Sequence, residues 1–62
     1  MNKYRELSDD ELVETFEKMD YYDPDLCAEI CNRADLAERW ARADGDAFEG
    51  VLDRAVEILK EG

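Results

Sequence analysis

Along the last third of the chain the apolar residues keep to one side of a helix. Phe48, Val51, Leu52, Ala55, Val56, Ile58 and Leu59 share one face at 100° per residue, and Glu49, Gly50, Asp53, Arg54, Glu57, Lys60 and Glu61 share the other. The period of 3.6 predicts a helix from about Ala47 to Lys60. The apolar arc covers about 160°, wider than the minimum stripe of a surface helix. Such a helix either sits at the centre of a bundle or is covered on two sides, and the second option implies a homodimer.

Upstream, helix punctuation recurs. Ser8 with Glu11 three residues on forms a capping box, and Leu7 and Leu12 occupy the hydrophobic-staple positions. Asp9 and Asp10 suit the positive end of the helix dipole. Leu12, Val13, Phe16 and Met19 follow at helical spacing, so the first helix is expected from about Asp9 to Asp20. Asp23-Pro24 restarts the chain, with aspartate as cap and proline at the first helical position. Leu26, Cys27, Ile30, Cys31 and Ala34 then predict a second helix from about Pro24 to Arg33. Asp35 and Glu38 repeat the capping-box spacing, opening a short third helix through Leu36, Ala37, Trp40 and Ala41 that either stands alone or runs on from the second. Asp44-Gly45 reads as its stop, because glycine takes the left-handed conformation cheaply. Asp46 and Glu49 make one more cap-like pair. Nowhere do β-branched residues alternate.

The expected fold is therefore all-α: a compact three- to four-helix bundle with short connections, spanning residues 1–62 as one domain. The last helix is expected at its centre. Core candidates are Leu12, Phe16, Met19, Leu26, Ile30, Leu36, Trp40, Phe48, Val51, Leu52, Ala55 and Leu59. At this size a single core rarely supplies more than ~3–5 kcal/mol, so staples matter. The chain has two cysteines and no histidine. Cys27 and Cys31 lie one helical turn apart, a spacing awkward for a disulfide. Two thiolates alone cannot close a four-ligand zinc site. They read as reduced, partly buried residues, and no metal or cofactor is expected.

Asp44-Gly45-Asp46 fails as a calcium loop: counting from Asp44, position 6 is Glu49 and position 12 is Ala55. The three glycines are isolated, so no phosphate-cradling loop exists. A bundle this small leaves little room for a pocket of ~300 Å³ or more. We expect no enzymatic activity. No apolar run approaches the ~20 residues of a membrane span, and no basic region precedes an apolar one at the N-terminus. The expected location is the cytoplasm.

Charge is the most distinctive property. Eighteen acids against eight bases leave a net charge of −10. Hydrophobic content of 45% is too high for a disordered acidic tail. From Glu6 to Glu29 there are ten acids and one base, Lys18. Asp10, Glu14, Glu17 and Tyr21 would line one stripe of the first helix, with neighbours about 5–6 Å apart at Cβ. That separation is close to the spacing of phosphates along a nucleic-acid strand. Such a face would repel nucleic acid and anionic lipid, and would suit a basic groove on a protein. The candidate partner-binding residues are Asp10, Glu14, Glu17 and Asp20, with Tyr21 and Tyr22 as aromatic contacts. The alternative is a solvated face that keeps a small helical assembly protein soluble while its apolar arc drives homo-oligomerisation. A DNA-reading role is disfavoured, because Arg33, Arg39 and Arg42 each follow an acid at i−4.

The stretch Cys31 to Leu59, with its run Trp40-Ala41-Arg42-Ala43-Asp44-Gly45-Asp46-Ala47-Phe48-Glu49, resembles short acidic proteins encoded by phages and prophages. The resemblance covers less than half the chain and brings no catalytic residue. It implies a context: such proteins often inhibit host proteins that handle nucleic acid, CRISPR effectors included. The expected activity is that of an anti-CRISPR-like inhibitor or nucleic-acid mimic, acting in the host cell.

Overall fold

The computed structural model describes residues 3–61. Four helices follow one another: α1 (Asp9–Lys18), α2 (Pro24–Arg33), α3 (Ala37–Arg42) and α4 (Ala47–Glu61). No strand occurs among the described residues. The α1 capping box is complete. The Glu11 amide donates to Ser8 Oγ at 3.2 Å and the Ser8 amide donates to Glu11 Oε1 at 3.0 Å. The Ser8 amide, and after it the Ser8 hydroxyl, hold the Glu11 carboxyl below its ordinary range. At α2, Asp23 Oδ1 accepts from the Asp25 amide at 2.9 Å, with Pro24 opening the first turn.

Two expected boundaries move. The first helix stops at Lys18, short of Asp20, because Met19 is already extended (φ −79°, ψ 142°). A short connection then leads to Asp23, which stands before Pro24 and is likewise extended (φ −77°, ψ 121°), as the proline requires. The second change concerns Asp35, which does not cap α3. It adopts a left-handed conformation (φ 61°) one residue beyond the α2 C-cap, Ala34. The Leu36 amide donates to the Cys31 carbonyl at 2.8 Å, and the Asp35 amide to the Asn32 carbonyl at 3.2 Å. This pair of bonds is a Schellman ending, with Asp35 in the place glycine usually takes. Helices α2 and α3 are thus separate, and α3 starts at Leu36 with no side-chain cap. Aspartate tolerates the left-handed region but glycine does so without steric cost. Asp35→Gly should therefore stabilise the protein by about 0.5–1 kcal/mol in urea denaturation; a loss of stability would overturn this account of the α2 ending.

Gly45 is also left-handed, at φ 57°. It lies in the turn between α3 and α4 rather than directly after the α3 C-cap, Ala43, which is extended. The Ala47 amide closes that turn on the Asp44 carbonyl at 3.1 Å.

Helices α2 and α4 form the largest interface, and each also touches α1 and α3. The centre is therefore shared, and α4 is not alone there as its sequence pattern suggested. The reason lies in α2, which buries Leu26, Cys27, Ile30 and Cys31 at 1% exposure or less. Two cysteines are small enough to let α4 approach closely. Leu12, Leu52, Ala55 and Leu59 complete the expected buried set. Phe16, Met19, Leu36, Trp40 and Val51 are half-buried against it, and Phe48 is half-buried at the α4 start. Helices α1, α2 and α3 pack against the wide α4 arc, burying Leu52, Ala55, Val56 and Leu59 and leaving Phe48, Val51 and Ile58 half-buried.

One core residue lies outside every sequence pattern. Tyr4, in the polar-looking N-terminal stretch, is 6% exposed. Its hydroxyl donates to Asp23 Oδ2 at 2.8 Å, and Lys3 stands 3.9 Å from the same oxygen. The Tyr4 bond is the main reason the Asp23 carboxyl titrates below its ordinary range. Arg33 ties the segment down from the other side. Its Nη2 donates to the Tyr4 and Arg5 carbonyls at 3.3 and 3.0 Å, Nη1 to Asp9 Oδ1 at 3.0 Å, and Nε to Glu29 Oε2 at 2.9 Å. No helix among the described residues is long and apolar enough to cross a membrane.

Candidate functional site

The six residues expected to meet a partner lie on and just beyond α1. Asp10, Glu14 and Glu17 are exposed along the helix. Asp20 and Tyr21 fall past its end, so they continue the acidic surface but not the helical stripe. Tyr21 is 67% exposed and Tyr22 48%, the two large hydrophobic residues most open to solvent among those described. Charge is not uniform along this surface. Glu14 holds Lys18 at 2.7 Å, and Glu17 holds Lys60 of α4 at 3.0 Å. Asp10 and Asp20 have no cation within ion-pair distance among the described residues. The stripe is thus partly neutralised in its middle and fully charged at its two ends.

Tyr21 and Tyr22 behave differently. The Tyr22 ring stacks on Phe16, 5.9 Å between centroids and 5° from parallel. Its other neighbour is Phe48, met edge-on at 5.7 Å, and Phe48 in turn meets Trp40 edge-on at 5.6 Å. Four of the chain's six aromatic residues therefore form one continuous row from α1 across to α3. Offset and edge-on pairs of this kind contribute about 0.5–1.5 kcal/mol each beyond area burial.

Two hollows flank Tyr22. The larger, about 600 Å³, is lined by Tyr22, Pro24, Cys27, Trp40, Asp44 and Phe48, among others. The smaller, about 360 Å³, is lined by Phe16, Met19, Asp20, Tyr21 and Tyr22. The expectation that a bundle this size leaves little room for a pocket of that size is corrected here. The larger opens where the six-residue α3 meets the start of α4, with Trp40 and Phe48 half-buried there, and the smaller lies at the end of α1 and the connection that follows it. Trp40, assigned to the core from its spacing to Leu36, is half-buried against that core and also forms a wall of the larger hollow. The aromatic row was hidden in the sequence because its members come from α1, the α1–α2 connection, α3 and α4. A usable signal was present in Tyr21-Tyr22, two adjacent aromatics in an acidic connection.

Comparison with known proteins gives no match: no family fits the sequence, and no characterised protein or solved structure is similar to the chain. The surface must therefore be judged on its own chemistry.

No group of three or more histidine, cysteine, aspartate or glutamate side chains among the described residues is arranged to hold a metal. Burial pushes both thiols up, Cys27 and Cys31 alike, to about 11, and nearby Asp23 adds to the effect at Cys27. Neutral at physiological pH, they are poor nucleophiles and poor ligands. What remains are aromatic rings, small apolar walls and single carboxylates. These bind by stacking, desolvation and charge.

Proposed function

We propose that this chain is a non-catalytic inhibitor of the kind phages encode, which occupies a basic, nucleic-acid-binding surface of a host protein. The observation that carries the proposal is where the excess charge sits. Sixteen of the eighteen acids are exposed. Asp10 and Asp20, which have no cation partner among the described residues, bracket Glu14 and Glu17, and the exposed Tyr21 and Tyr22 adjoin them. Charge of one sign beside exposed aromatics suits steered association followed by short-range anchoring. The action is occlusion, with no bond made or broken.

Immobilised protein should retain a nucleic-acid-binding protein from host lysate and release it as salt rises or when a competing oligonucleotide is added. Asp10→Asn with Asp20→Asn should weaken that capture by about tenfold and leave helicity unchanged, since neither carboxylate has a cation partner to lose. Glu14→Lys with Glu17→Lys is a harsher change, because it sets lysines beside Lys18 and Lys60. Recovery of only the protein itself, stable at high salt and indifferent to oligonucleotide, would overturn the proposal in favour of self-assembly.

A further inference from the structure

We infer that the two hollows flanking Tyr22 form one docking surface for a basic protein segment, with an arginine seated against the Tyr22, Phe48 and Trp40 rings and its guanidinium at Asp44. This rests on the proposed function and names the chemistry its partner must present.

Each hollow combines apolar walls with a single carboxylate. Asp44 lines the larger and Asp20 the smaller, and neither has a cation partner among the described residues. That pairing restricts the occupant. A neutral apolar side chain would leave a carboxylate desolvated and unpaired, which is costly. An anion would be repelled by Asp44 and by the exposed Asp46 and Glu49 beside it in sequence. A cation with a flat, weakly hydrated face satisfies the rings and the carboxylate together. Guanidinium has that character, and the compact, strongly hydrated lysine ammonium has less of it. The bases nearest in sequence do not fill the place. Arg39 and Arg42 line neither hollow, and Arg42 is held by Glu38 at 2.8 Å. Tyr22 is the shared wall, fixed from behind by its stack on Phe16, so an occupant meets a surface that is already formed. The two hollows side by side suit a segment with a second cation near the first, placed to reach Asp20.

Trp40 is the chain's single tryptophan and a wall of the larger hollow, so its emission reports occupancy directly. The probe is a short peptide alternating arginine and glycine, titrated at low salt into isotope-labelled protein, with its lysine counterpart as comparison. Amide shifts should centre on Tyr22, Trp40, Asp44 and Phe48, and the tryptophan emission should change with the same midpoint. The lysine peptide and the Asp44→Asn variant should each bind about fivefold more weakly. Shifts confined to Asp10, Glu14 and Glu17, with Asp44→Asn silent, would overturn the docking surface while leaving the acidic stripe as the contact. Absence of any shift with either peptide would overturn the docking surface, and the capture experiment with oligonucleotide competition would then decide the broader reading separately.

Discussion

Ile30→Ala should leave most of the protein unfolded at 25 °C. Ile30 is fully buried on α2, the helix that shares the centre of the bundle with α4. Truncating a buried isoleucine to alanine costs about 2–5 kcal/mol, part of it lost transfer energy and part the cavity left behind. A core of this size rarely supplies more than ~3–5 kcal/mol in total. The two quantities are comparable, so one substitution is expected to consume the margin. Circular dichroism against urea is the measurement, with Ile30→Val, expected to cost about 1 kcal/mol, as the graded control. A variant that keeps its urea midpoint would mean that α2 is peripheral and the α4 pattern alone organises the core.

The second large effect concerns a polar residue. Arg33→Ala should destabilise the protein by about 3 kcal/mol. The Arg33 and Glu29 side chains are only 17% and 11% exposed, and their 2.9 Å contact satisfies both. Removing the guanidinium strands a nearly buried carboxylate and also unties the carbonyls of Tyr4 and Arg5. Amide exchange at residues 4–7 should accelerate together with the stability loss. The double variant Glu29→Gln, Arg33→Met should lose clearly less than the single Arg33→Ala, because neither charge is then left alone. A loss under about 1 kcal/mol for Arg33→Ala would mean the pair behaves as an ordinary surface contact.

The comparison of sequence with structure divides along the distance over which residues act. Local grammar was legible. Ser8 with Glu11, Asp23-Pro24 and the α4 period each act within a few residues, and each appears as expected. Asp35 misled because Asp-x-x-Glu fits an α3 N-cap as well as it fits a helix ending. The choice was made by the Leu36 and Asp35 amides, which close back onto α2. Tyr4 and Arg33 were illegible for a different reason. Their partners lie 19 to 29 residues away, and the i,i+4 pattern shows only Glu29→Arg33. The acidic surface was half legible. Its composition was plain, but the Glu17–Lys60 pair spans 43 residues and neutralises a position that the sequence leaves charged. The hollows could not be read at all, since the walls of the larger come from the α1–α2 connection, α2, α3 and the start of α4, which only the fold brings together.

The paired cysteines give the fold a built-in clock. Both cysteines lie on α2 at 1% exposure or less and their thiols stay protonated, so a thiol reagent in solution meets them only when the bundle opens. Their modification rate, divided by the rate for an unfolded peptide carrying the same spacing, reads out the fraction of time the centre spends open. Because the two sit one turn apart on one helix, they should be modified nearly together. An adduct on the fully buried Cys31 cannot be accommodated in the packed core, and its presence would keep the molecule open until Cys27 has reacted.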